Sequence, residues 1–192
     1  MPVDLVFVRH GRSEGNEARE QSQQGDDSQY TDEFRARRNR QWRLTDLGIE
    51  QAKAAGRWIR EHVSPNFSRY YTSEYLRARE TAGHLELDNA RWVQDILLRE
   101  RSWGRADFVM PESERYEQFA SELATRREDP CYWRPPEGES LADVCIRVDR
   151  IIDRVYRDAS GQRFVIVTHE DVMWAARFML EGMTQDLSLI HI

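Results

Sequence analysis

At 192 residues the chain is long enough to bury one substantial core, and a single domain is the expected size. Six Trp, seven Tyr and seven Phe in a chain that is 40% hydrophobic argue against disorder. A formal charge of −6 argues against nucleic acid or an acidic membrane surface as the main partner, so any basic site must be a local island.

Val3 to Val8 is a nearly continuous apolar run, which predicts a strand buried on both faces. Arg9-His10-Gly11-Arg12-Ser13-Glu14-Gly15-Asn16 follows, with two glycines that permit close approach to a ligand. Residues 17–43 are polar and carry a cluster from Arg35 to Arg43. So long a connection is either a solvated, partly helical excursion or a lid bringing cations to an anion. Thr45 reads as the N-cap of a helix whose apolar face is Leu47, Ala52, Ala55, Trp58 and Ile59. Arg69 to Thr72 predicts a second strand, and Ser73 to His84 a helix with Arg77 in its early turns. A short strand is expected near Arg91–Val93, and one charged helix over Glu112–Arg127. Ser140 caps the clearest amphipathic helix, with Leu141, Val144, Cys145, Val148, Ile151, Ile152 and Val155 at helical spacing. Phe164 to Thr168 predicts another buried strand ending at His169, and a helix follows from about Asp171 to Glu181.

Strands alternating with helices predict an α/β protein with a mostly parallel sheet and helices on both faces. Ligands then sit beyond the carboxyl ends of the strands, which puts His10, the segment leading to Arg77, and His169 on one rim. Cys131 and Cys145 suggest no disulfide framework, and Cys145 falls on the core stripe of its helix. No signal peptide and no membrane-spanning run are apparent, so a cytoplasmic location is the expectation. Leu187-Ser188-Leu189-Ile190-His191-Ile192 resembles the translation of a sequencing adapter. Residues 187–192 are therefore expected to be a non-native tail on a domain cut near Asp186.

Phosphoryl transfer to a side chain needs a nucleophilic lone pair, cations for the phosphoryl oxygens and a proton donor for the leaving oxygen. A neutral imidazole meets the first need, and neighbouring arginines disfavour its protonation. The planar, permanently charged fork of arginine meets the second. A carboxyl group with a raised pKa meets the third.

Six blocks occur in order between residue 5 and about residue 180. They are Arg9-His10-Gly11-x-Ser13-x-x-Asn16, Leu44-Thr45-x-x-Gly48-x-x-Gln51-Ala52 and Thr72-Ser73-x-x-Leu76-Arg77-Ala78-x-x-Thr81-Ala82. The others are Leu98-x-Glu100-Arg101-x-Trp103-Gly104, Gly138-Glu139-Ser140-Leu141 and Val165-Ile166-Val167-Thr168-His169. Together they resemble the histidine phosphatase superfamily, which includes the phosphoglycerate mutases. The resemblance implies a three-layer α/β/α sandwich over residues 1–186, with residues 17–43 as a polar insertion or lid.

It also implies roles for the matched positions. His10 would be the phosphorylated nucleophile, its other ring nitrogen held by a backbone carbonyl. Arg9, Arg77 and His169 would form the phosphate pocket, with His169 cationic or donating a hydrogen bond, and Asn16 would add a polar contact. Glu100 would protonate the leaving oxygen and then activate water. No cofactor is implied, and no metal: no cluster of metal-ligand spacing stands out.

Two positions depart from the family pattern. Arg12 stands where many relatives carry Glu or Gln, and either adds charge to the site or faces solvent. Glu170 stands where Gly is usual, so only its backbone N–H is a credible phosphate contact. The expected partner is a small phosphorylated substrate or a phosphoprotein, and nothing in the sequence fixes the oligomeric state. Phosphomonoester hydrolysis is the leading expectation; a phosphoglycerate mutase and a non-catalytic phosphate-binding protein stay open beside it.

Overall fold

The apolar run Phe164-Val165-Ile166-Val167 has no solvent-facing side, and it lies in the middle of the sheet. The structure, a computed structural model, describes Pro2 and residues 4–158 and 161–183. The expected tail at 187–192 and the cut near Asp186 lie outside the described residues.

Four strands are described: β1 (Asp4–Arg9), β2 (Arg69–Thr72), β3 (Trp92–Gln94) and β4 (Arg163–Thr168). Their order is β1-β4-β2-β3, and all their pairings are parallel. Side chains alternate across β4, as strand geometry requires. Phe164 and Ile166 join a core with α7 (Leu141–Asp158) and α8 (Glu170–Leu180). Val165 and Val167 point the other way, into a core with α3 (Asp46–His62) and α4 (Leu76–His84). The chain is therefore the expected α/β/α sandwich.

Thr45 and Ser140 cap as expected. Thr45 Oγ1 accepts from the Gly48 N–H at 3.1 Å, and Ser140 Oγ accepts from the Asp143 N–H at 3.0 Å. Three other expectations need correction. In α3, Leu47 and Trp58 are 50% and 55% exposed, and Trp58 stacks on His62 instead. The inward residues are Gly48, Ala52, Gly56 and Ile59, because small residues let α3 lie close to its neighbours. The single helix expected over 112–127 is two, α5 (Glu112–Gln118) and α6 (Ala120–Thr125). The break at Phe119 lets Phe119 and Leu123 pack together with Trp103 and Trp133. The helix expected from Ser73 starts only at Leu76, because Ser73 Oγ accepts from the Tyr75 N–H in a turn. The described helix α1 (Glu14–Gln23), which the sequence reading did not mark out, begins directly behind the N-cap Ser13.

The 17–43 segment is folded. It contains most of α1, then α2 (Asp32–Ala36) and a 3-10 turn at Asn39–Gln41. Ala18, Tyr30, Phe34 and Trp42 give it a small core of its own. No helix among the described residues is long and apolar enough to cross a membrane.

Two motif glycines explain each other. A Cβ on Gly11 would lie 2.3 Å from the Gly48 oxygen, and one on Gly48 would lie 2.1 Å from the Arg12 oxygen. The loop after β1 and the start of α3 thus touch backbone to backbone. Gly48→Ala should destabilise the fold by about 1–3 kcal/mol, the usual cost of overpacking, and chemical denaturation measures it. An unchanged unfolding midpoint would contradict that contact.

Candidate active site

Three strands end on the same rim, and each delivers a side chain on the next residue: His10 after β1, Ser73 after β2 and His169 after β4. The His10 N–H donates to the Thr168 oxygen at 3.0 Å, which continues the ladder one step beyond β1. The two imidazoles meet edge to face with ring centres 5.0 Å apart. Both are buried.

His10 Nδ1 lies 2.7 Å from the Gly11 oxygen. A carbonyl only accepts, so Nδ1 carries the proton and Nε2 keeps its lone pair. Arg77 Nε donates to that Nε2 at 3.1 Å. Burial, and then the charges of Arg77 and Arg9, push the His10 pKa well below the ordinary histidine value. The ring is neutral at pH 7, with its reactive nitrogen facing a guanidinium.

His169 Nε2 sits 2.8 Å from Ser73 Oγ, and its buried Nδ1 has no hydrogen-bond partner. Burial holds its pKa well below the ordinary value, with Arg77 and His10 adding to the effect. Both effects disfavour the cationic form of His169. Glu100 Oε2 is 3.8 Å from that unpartnered Nδ1. Burial, and then Asp171, push Glu100 up to about 8 against the opposing charge of Arg77. Glu100 thus holds a proton at pH 7, and the contact with His169 is not an ion pair. Glu100 Oε1 accepts from the Arg101 N–H at 2.9 Å, so the proton belongs on Oε2.

The segment carrying Glu100 is braced by Glu139, from the Gly-Glu-Ser block. Glu139 Oε1 accepts from Arg99 at 3.1 Å and from Arg147 at 3.0 Å, and Oε2 accepts from the Ser102 N–H at 2.9 Å. Arg147 also donates to the Leu97 oxygen at 2.6 Å. Thr168 Oγ1 reaches the Leu98 oxygen at 2.8 Å, which ties the end of β4 to the same segment.

A cavity of about 320 Å³ opens beside them: Arg9, His10, Arg77 and Glu100 line it, whereas His169, fully buried, does not. Arg9 is half exposed and pairs with Glu170 at 2.8 Å. The Glu170 side chain thus meets an arginine at the rim. Asn16 lines the cavity too, with its Oδ1 accepting from the Ser13 N–H at 3.0 Å. Arg12 is not brought to the cavity: its guanidinium turns back onto α1, toward Glu20 at 2.8 Å and Glu17 at 3.5 Å. Sequence reasoning did not single out Asn39, Trp42, Trp103, Phe108 or Asp171 as site residues, and it did not place Arg19 there. All line the cavity. Asp171, two residues past His169, had a readable signal in its position.

His10, Glu100 and His169 present ligand atoms all within 4.8 Å of one another, a grouping invisible in chain spacing. The positive charge of Arg77 stands beside it, so the hollow suits an anion better than a divalent cation.

Two imidazoles, a buried guanidinium and a buried carboxyl thus meet on the rim of a parallel α/β sheet, in a hollow suited to an anion. The profile of the Histidine phosphatase superfamily (branch 1) matches residues 5–189, and the chain belongs to that family. It is 30% identical over 190 residues to the Phosphoglycerate mutase-like protein AT74 of Arabidopsis thaliana. That match takes in 88% of this chain, which spans 54% of the relative's length. It is 29% identical over 198 residues to a 2,3-bisphosphoglycerate-dependent phosphoglycerate mutase of Methylorubrum populi, covering 94% of this chain and 80% of the relative. Among solved structures, a putative alpha-ribazole-5'-P phosphatase from Escherichia coli superposes with a TM-score of 0.77 at 21% identity, covering 99% of this chain and 85% of that one. A mycobacterial glucosyl-3-phosphoglycerate phosphatase in complex with inorganic phosphate gives 0.71 at 23% identity, covering 94% and 79%. At that identity the likeness is one of fold.

Proposed function

We propose that this chain hydrolyses phosphomonoesters through a phosphohistidine on His10, without a metal ion. The observation that carries the reading is the fixed His10 tautomer: Nδ1–H is tied to Gly11 and the Nε2 lone pair opens toward Arg77. In the first step Nε2 attacks phosphorus and the bond from phosphorus to the leaving oxygen breaks. The leaving oxygen takes its proton from Glu100. Arg9, Arg77 and the free Nδ1 side of His169 receive the phosphoryl oxygens, and the arriving dianion favours protonation of His169. In the second step the Glu100 carboxylate removes a proton from water as water attacks phosphorus. The P–N bond breaks, its electron pair returns to Nε2, and phosphate leaves.

The cavity size favours a small phosphorylated metabolite over a folded phosphoprotein. Arg19 lies 4.5 Å over the Phe108 ring and Arg126 lies 5.1 Å over the Trp103 ring. Neither has a carboxylate within 4.0 Å among the described residues, which favours a leaving group with an anionic group of its own.

The phosphoglycerate mutases among the relatives support a rival reading, transfer of the phosphoryl group back to an acceptor hydroxyl. Phosphate release, measured against isomerisation of a phosphoglycerate, separates the two. Acid-labile, base-stable phosphate on His10 is expected in both, and its absence across a broad substrate panel would leave only a binding protein. EDTA should leave turnover unchanged, and a large loss restored by one divalent metal would overturn the metal-independent route.

A further inference from the structure

Arg77 is buried in the first turn of α4, and its donors are divided. Nε faces His10 Nε2 at 3.1 Å. The two hydrogens of NH1 go to one residue: Asn39 accepts them with its backbone oxygen at 2.9 Å and with Oδ1 at 2.9 Å. Among the described residues no hydrogen-bond acceptor is given to NH2, which can turn to phosphoryl oxygens. A guanidinium on a flexible stem loses rotamer freedom when it is aimed, and two acceptors on one residue fix its plane.

Asn39 is itself held. Its Nδ2 donates to Asp107 Oδ1 at 3.0 Å, and Asp107 Oδ1 also accepts from the Phe108 N–H at 2.7 Å. Three residues on, Trp42 is 4% exposed and stacks on Phe34 with ring centres 5.1 Å apart. Its ring lies close against Gly15, where a Cβ would be 2.0 Å from it. The excursion after α1 is thus pinned on both sides of Asn39.

We propose that Asn39 is a positioning residue for the phosphoryl group: it clamps NH1 of Arg77, so that Nε and NH2 present their edge to the phosphorus bound at His10. The inserted segment is then a fixed wall of the anion site. The role rests on the phosphoryl chemistry proposed above, yet equilibrium binding tests it without turnover.

The experiment measures the dissociation constant of inorganic phosphate by calorimetry, with the thermal midpoint, in the full chain. Asn39→Ala keeps the backbone acceptor and loses Oδ1 and the Asp107 bond. It should weaken phosphate about tenfold with the midpoint within a few degrees of wild type. Asp107→Ala should follow it, whereas Asp107→Asn, which keeps an acceptor for Nδ2, should bind like wild type. In assays, the alanine variants should raise KM and lower kcat together. Unchanged phosphate affinity in folded Asn39→Ala would overturn the clamp, as would loss of folding in both alanine variants, which makes the role structural. Failure of the wild-type chain to bind phosphate overturns both proposals. Wild-type phosphate binding without turnover on any ester overturns only the hydrolytic one.

Discussion

His10→Ala should abolish turnover while leaving the fold in place. The other rim imidazole is committed elsewhere: His169 spends Nε2 on Ser73, and its Nδ1 faces Glu100. The loss should be on the order of 10⁴- to 10⁶-fold, the scale reached when a covalent nucleophile is removed. The variant should also fail to retain label from a radioactive monoester. Turnover within tenfold of wild type would remove the phosphohistidine from the mechanism.

Glu100→Gln should slow the reaction by roughly 10²- to 10⁴-fold for alkyl phosphates, the usual cost of a lost acid–base group. The pH profile makes the test sharper. Glu100 acts first as an acid, so the free enzyme is competent while the carboxyl is protonated. With its pKa pushed up to about 8, wild-type kcat/KM should hold through neutrality and fall as pH rises past that value. The acid side should fall only well below the ordinary histidine range, where His10 takes up a proton. In Glu100→Gln the alkaline fall should vanish along with most of the rate. An aryl ester, whose leaving oxygen needs little protonation, should lose much less in the first step. An alkaline limb that survives the substitution would assign the titration to another group.

Much of this was readable from residue order. The uninterrupted apolar run at 164–167 could only be a strand covered on both faces, and chain order then put residues 10 and 169 on one rim. What chain order cannot give is lateral distance. β1 and β4 pair directly, which turns a shared rim into rings 5.0 Å apart. Periodicity also misjudged α3. It registers where large apolar side chains recur, but the inward face carries Ala52 and Gly56, and a Cβ on Gly56 would lie 2.0 Å from the Leu85 oxygen. Asn39 was hidden for another reason. It sits in a polar stretch without apolar rhythm, and it matters only because that stretch folds back over the first turn of α4. Arg12 was undecidable from its type alone, although Glu17 and Glu20 on the helix that follows capture it.

The sheet order carries a consequence for biosynthesis. The strand that separates β1 from β2 is the last of the four to leave the ribosome. Until it threads between them, the two halves of the sheet share no backbone ladder, and long-range closure of this kind is slow. A nascent chain halted before that strand would expose two apolar edges and possess neither imidazole pair nor pocket. Chaperone dependence should therefore peak just before the keystone arrives.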